Sequence, residues 1–171
     1  MRFGDFLKAT VLLSAASATL LATLTVLSLA SDVNEQTVYL CVIWWLGSTL
    51  IGIVIGRGTN ASPAITRLLA AARSQTLLPE LHPGRTLANR LWPLLLVTIA
   101  AGALSVVAPQ ISAIATGFAI IWSLAWRRQE AAVAAIEERD GVRFYVDRTS
   151  PLRPIQLIRT PGFGGDFLRL T

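Results

Sequence analysis

The chain has 171 residues and a net charge of +5, with 53% of residues hydrophobic and only 15% charged, where ordinary soluble domains carry about 25% charged residues. Its mean hydropathy is +0.58. Long uncharged runs on that composition exclude a soluble globular domain and a disordered chain, and point to a membrane protein. One cysteine, Cys41, and one histidine, His82, exclude an internal disulfide and leave little material for a metal centre or acid–base pair.

Met1–Lys8 is a short amphipathic start, with Phe3, Phe6 and Leu7 set against Arg2, Asp5 and Lys8. Residues 9–30 follow without a charge, enough for one membrane crossing. The same stretch has a second reading as a signal peptide, with Arg2 and Lys8 as its basic region and Ser28-Leu29-Ala30 as a cleavage site. The apolar run exceeds the ~7–15 residues of such a core, which favours an uncleaved helix. Ser14, Ala18 and Ala22 recur every fourth residue and predict a face for close helix packing.

A short loop with Asp32 and Glu35 leads to a second span over 38–56. Gly52 and Gly56 form a GxxxG pattern, the expected seam of a helix pair, internal or between protomers. Trp44 and Trp45 sit well inside this span. Cys41 reads as a small buried hydrophobe.

The connection over 57–90 is basic, with Arg57, Arg67, Arg73, Arg85 and Arg90 against Glu80. Ser62-Pro63 predicts an N-cap followed by proline in the first turn. Ile65, Leu68, Leu69 and Ala72 then share one face, which predicts an amphipathic helix of about three turns lying at the cytoplasmic interface. His82, next to Pro83, reads as a loop residue.

Residues 91–126 contain no charge. As one helix they would run roughly 54 Å, well beyond a hydrocarbon core of about 30 Å. A hairpin turning at Pro109-Gln110 is predicted, with spans over 91–108 and 111–126 and a small-residue face at Ala113 and Gly117. Trp122 and Trp126 at the exit, followed by Arg127 and Arg128, make an aromatic belt with charged anchors. The fourth helix is expected to continue unbroken to Asp140-Gly141, where glycine ends it.

Val142, Phe144 and Val146 then alternate with Arg143, Tyr145 and Asp147, a strand pattern, and 155–158 is a second extended piece. The fold class read from the sequence is therefore an all-α polytopic membrane protein. It has four transmembrane helices in a domain over 1–139, an interfacial helix, and a basic, extended, β-like cytoplasmic tail over 140–171.

With four spans, every Lys and Arg falls at the N-terminus, in the long connection or in the tail. The positive-inside rule then places both termini in the cytoplasm. The near-exclusive use of arginine over lysine suggests a GC-rich bacterial genome, hence the bacterial inner membrane. The spans hold no acidic or basic side chain of Asp, Glu, Lys, Arg or His, which counts against ion-coupled transport. Numerous hydroxyls (Ser14, Ser17, Thr19, Thr23, Thr25, Ser48, Thr49, Thr98, Ser112, Thr116) line a pore on one reading, and bond their own helix carbonyls or join helices on another.

No phosphate loop, dinucleotide fingerprint or hydrolase motif occurs. Glu130, Glu137, Glu138 and Asp140 form an acidic group that a lipid-modifying enzyme would need, but Arg139 and Arg143 are interspersed as on an ordinary solvated helix end. No catalytic, cofactor or metal site is predicted, and the scattered tail arginines do not suggest nucleic acid. The expected partners are membrane lipids, with Arg57, Arg67, Arg73, Arg127 and Arg128 at headgroups, and either a protein partner or further copies of the chain. The tail residues Phe144, Tyr145, Ile155, Leu157 and Ile158 are the expected docking segment. The function predicted first is an accessory or interaction subunit, ahead of an oligomeric channel, holin-like permeabiliser or passive transporter, with a lipid-modifying enzyme last.

Overall fold

A computed structural model describes residues 1–31, 35–74, 83–147 and 154–161. His82, Arg148, Arg153, Phe163, Phe167 and Arg169 lie outside the described residues. The chain is mostly helical, and four of its helices are long and apolar enough to cross a membrane. It divides into two compact units, which cut across the division at residue 139 expected from the sequence.

Unit 2 comprises Ala9–Arg57 and Leu91–Arg127 and holds most of the apolar helices. These are α1 (Phe3–Ser31) and α4 (Pro83–Leu104), whose first turns belong to unit 1, with α2 (Glu35–Ile55) and α5 (Pro109–Trp126). Their outward side chains are large and apolar, as at Leu46, Leu50, Val97, Ile99 and Phe118, which are all exposed. The interior is instead small and hydroxylated: Ser14, Thr25, Ser48, Ser112 and Thr116 have no exposed surface. A helix apolar on its outside and polar-small inside is the arrangement of a membrane bundle.

The turn between α4 and α5 falls at Ser105–Ala108, not at Pro109-Gln110. Pro109 is the first residue of α5, where its missing N–H is no loss because that donor has no helical partner. α4 begins at Pro83, earlier than the apolar run alone suggests, so Pro93 falls inside the helix.

Unit 1 gathers Met1–Lys8, Gly58–Arg90 and Arg128–Thr171. It contains α3 (Pro63–Ala70), β1 (Arg73–Ser74), α6 (Gln129–Asp140), β2 (Val142–Val146) and β3 (Leu157–Pro161). Ser62 caps α3 as its sequence predicts, accepting from the Ile65 N–H, but the helix has two turns instead of three. Gly141 ends α6 at φ 61°. Arg127 and Arg128 keep helical dihedrals, yet the regular helix stops at Trp126 and resumes at Gln129, so the fourth helix is interrupted where the two arginines leave the apolar run.

The strands form one sheet in the order β1-β3-β2. β3 runs antiparallel to β2, pairing Tyr145 with Ile158 and Phe144 with Arg159. It runs parallel to β1, pairing Arg73 with Ile158. The far edge of β2 is met by the N-terminus: Arg2 bridges to Tyr145, and the Val146 N–H donates to the Met1 carbonyl at 3.0 Å. Side chains on both faces of the sheet, Phe144 and Leu157 on one and Tyr145 and Ile158 on the other, are buried.

Candidate functional site

Of the residues expected at helix contacts, Gly52, Gly56, Ala113 and Gly117 come together at one seam within the chain. Gly52 and Gly56 lie against α5. A Cβ on Gly52 would meet Leu124 Cβ at 2.8 Å, and one on Gly56 would run into the Leu124 carbonyl oxygen. Gly117 faces the opposite way across the same seam, where a Cβ would run into the Trp44 indole and lie 2.6 Å from Ser48 Oγ. The GxxxG stripe of α2 and the small-residue stripe of α5 are therefore two sides of one interface, and α2 and α5 are the closest helix pair described. Ala113 is buried beside them.

Trp44 and Trp45 point different ways around α2, as adjacent helical residues must, yet both reach α5. Trp45 Nε1 donates to the Ala113 carbonyl at 3.0 Å and Trp44 Nε1 to the Ile114 carbonyl at 3.3 Å. Indole N–H groups in an apolar setting need such acceptors, and the sequence alone does not say which carbonyls supply them.

Ser14 is fully buried and donates to the Thr10 carbonyl. Ala18 is buried and Ala22 half-buried. Together they line an open cavity of about 500 Å³ with Thr23, Trp45, Thr116 and Ile120. Elsewhere α1 is tied to its neighbours by hydroxyl pairs. Thr25 Oγ1 and Ser112 Oγ are hydrogen-bonded at 2.8 Å, and Thr98 Oγ1 donates to Ser17 Oγ at 3.1 Å. Between α4 and α5 a larger open groove of about 700 Å³ is lined by Ala101, Ala115, Phe118 and Trp122 among others. Its surface is almost wholly apolar.

In unit 1 the tail residues expected to dock a partner are engaged by the chain itself. Phe144, Tyr145, Leu157 and Ile158 are buried and Ile155 is half-buried. The apolar tail lacks a core only when the tail is considered alone; with β1, α3 and the first residues of the chain it has one. Ile65 and Leu69 of α3 are likewise buried in the chain, so the apolar face of this amphipathic helix is covered by protein.

The carboxylates of α6 divide by role. Glu137 is buried and accepts from the Phe144 N–H at 2.9 Å, with Arg143 Nη1 at 3.4 Å. It tethers the helix end to the strand that follows. Asp140 is exposed and paired with Arg139 at 2.8 Å, and the hydrogen bond from that guanidinium holds its carboxyl below the usual carboxylate range. Among the described residues no group of three His, Cys, Asp or Glu side chains is placed to hold a metal. Arg57, Arg67, Arg73, Arg127 and Arg128 are all exposed. Of all the Lys and Arg residues, only Arg57 and Arg127 belong to unit 2, each at the end of an apolar helix.

Comparison of the chain with protein-family models, with curated proteins and with solved structures found no match. The functional reading therefore rests on the geometry.

Proposed function

We propose that this chain is a multi-pass protein of the bacterial inner membrane, with both termini in the cytoplasm, and that it acts as an accessory or interaction subunit without catalytic activity of its own. Unit 2 anchors it among the lipids. Unit 1 is the cytoplasmic module that meets a protein partner.

The observation that supports this is the make-up of unit 1. One sheet takes β1 from the long connection, β2 and β3 from the tail, and a bridge from Arg2. These segments alternate along the chain with pairs of apolar helices. A sheet of that composition closes only if all three segments lie on one side of the membrane. The same segments carry nearly all the cations, and the positive-inside rule makes that side the cytoplasm. Because the apolar tail side chains are occupied, the partner surface in this reading is the polar exterior of unit 1, with Arg67, Arg73 and Arg159 exposed. Arg57 and Arg127 serve anionic headgroups at the ends of their helices.

A second reading, an oligomeric channel or passive transporter, draws on the buried hydroxyls of unit 2. Most of those hydroxyls bond to helix carbonyls or to each other, and the glycine stripe that would join protomers is used inside the chain, so the first reading is preferred. Gentle extraction of the tagged full-length chain, followed by native mass analysis, separates the two. The expected result is a defined assembly with another polypeptide. A homo-oligomer that passes solutes in vesicles would install the channel instead. A bare monomer would remove both and return attention to Glu137, Glu138 and Asp140 as a lipid-modifying site.

A further inference from the structure

We infer that the hairpin of α4 and α5 does not emerge into water at its tip: the turn Ser105–Ala108 is built to sit among the acyl chains of the far leaflet. This rests on the reading of unit 2 as a membrane anchor.

Three observations carry it. The first is length. The uncharged part of α4, Leu91 to Leu104, rises ~21 Å, and the 18 residues of α5 rise ~27 Å. Counted from the first charges, Arg90 and Arg127, these uncharged stretches end short of the far side of a hydrocarbon core of about 30 Å, although each helix as a whole is long enough to cross it. By contrast the uncharged parts of α1 and α2, residues 9–31 and 36–55, rise ~34 and ~30 Å.

The second is the surface of the tip. Val106 and Val107 are each 86% exposed, more than any other large apolar side chain described. In water that is unfavourable; in hydrocarbon it is not. Gln110 is the one exposed polar side chain between Thr98 and Trp126, and as a neutral amide it is the group that reaches toward the far headgroups.

The third is the backbone. Peptide groups in hydrocarbon have no water to bond and must be satisfied internally. The Ser105 N–H reaches the Ala101 and Gly102 carbonyls, Val106 that of Ala103, and Val107 and Ala108 that of Leu104. The next residue is proline, which has no N–H to satisfy. The Ser105 hydroxyl is turned onto the Gly102 carbonyl at 2.6 Å and the Ser112 hydroxyl onto the Pro109 carbonyl at 2.9 Å. Each backbone N–H from Ser105 to Ala108 thus has an acceptor within the hairpin.

The test places nitroxide labels, one at a time, at V107C, I114C and E35C in a C41S background, in the full chain reconstituted into phospholipid vesicles. Accessibility to oxygen is compared with accessibility to a water-soluble nickel chelate. The inference expects V107C and I114C to favour oxygen and E35C to favour nickel. If V107C behaves like E35C while I114C stays lipid-like, the hairpin crosses completely and the inference is overturned. If I114C is also nickel-accessible, the membrane reading of unit 2 fails, and this inference with it. Should the label disturb the turn, unlabelled V106C is reacted with a charged maleimide present on both sides of the vesicles. A rate at least tenfold below that of E35C supports the buried tip, and equal rates overturn it.

Discussion

The indole of Trp44 occupies the space where a side chain on Gly117 would begin. The contact is possible only because α5 has no Cβ at that position, and it lets Trp44 Nε1 reach the Ile114 carbonyl. Gly117→Ala must therefore push the indole aside. Overpacking of this kind costs ~1–3 kcal/mol, and the indole, being a side chain, can rotate to absorb part of it. Gly56→Ala meets the Leu124 carbonyl, which is backbone and cannot rotate away, so it should cost more. Unfolding of the two variants in mild detergent should rank them in that order. An unchanged Gly56→Ala would show that the seam opens readily.

Ser48 presents the opposite case in the same seam. It is fully buried, and its hydroxyl has no partner. A buried hydroxyl without a hydrogen bond is a cost to the folded state, and here the side chain serves by being small. Ser48→Ala keeps the size and removes the unmatched group, so it should stabilise unit 2 by about 1 kcal/mol. Thr25→Val, which breaks the bond to Ser112, should destabilise by ~0.6 kcal/mol, the average for such bonds between membrane helices. Opposite signs for the two variants, in the same detergent unfolding assay, are the expected result.

Much of unit 2 was legible in the sequence because its signals are local. Uncharged runs mark α1, α2, α4 and α5, Gly52 and Gly56 mark the seam, and Ser62-Pro63 marks the start of α3. Unit 1 was legible only in part. The alternation at 142–146 and the extended piece near 155–158 were visible. Their partners were not, since β1 is two residues long and joins in parallel from a distant segment, and Arg2 adds a bridge from the other end of the chain. Nothing in a two-residue window has a period. The hairpin turn was misplaced by a few residues because proline signals both a break and a helix start, and here it is the start. Glu137 looked like one of several solvated acids; only the position of the Phe144 N–H distinguishes it from Glu138.

That Glu137–Phe144 bond fixes how β2 leaves α6. The carboxylate stands at the last turn of the helix, and the Phe144 N–H is buried. Glu137→Ala leaves that N–H without an acceptor, a cost of ~1–3 kcal/mol. Glu137→Gln retains a carbonyl oxygen at the same place and should recover most of the loss, while the ion pair with the half-exposed Arg143 adds little. Hydrogen exchange at Phe144 distinguishes the variants: fast in the alanine form, close to the parent in the glutamine form. Equal exchange in all three would mean the carboxylate does not hold the strand.

The first residues of the chain should matter to the fold of its last ones. Phe3 and Leu7 are each only 2% exposed and Phe6 6%, and Phe3 and Phe6 stack at 6.5 Å inside the unit that contains β2 and β3. Phe3→Ala removes a large buried ring, for which ~3–5 kcal/mol is typical, and that is enough to unfold a small unit of marginal stability. The apolar helices of unit 2 do not depend on the ring, so the variant should still insert. Limited proteolysis of membranes should then cut rapidly within Val142–Val146 and Leu157–Pro161 in Phe3→Ala, while the parent is resistant in those strands. Removing everything after Arg139 takes β2 and β3 away and should leave Met1–Lys8 open to the protease in the same manner. Protection of the tail in Phe3→Ala would mean that the sheet stands without the N-terminus, and would separate the two ends of the chain that the Arg2–Tyr145 bridge joins.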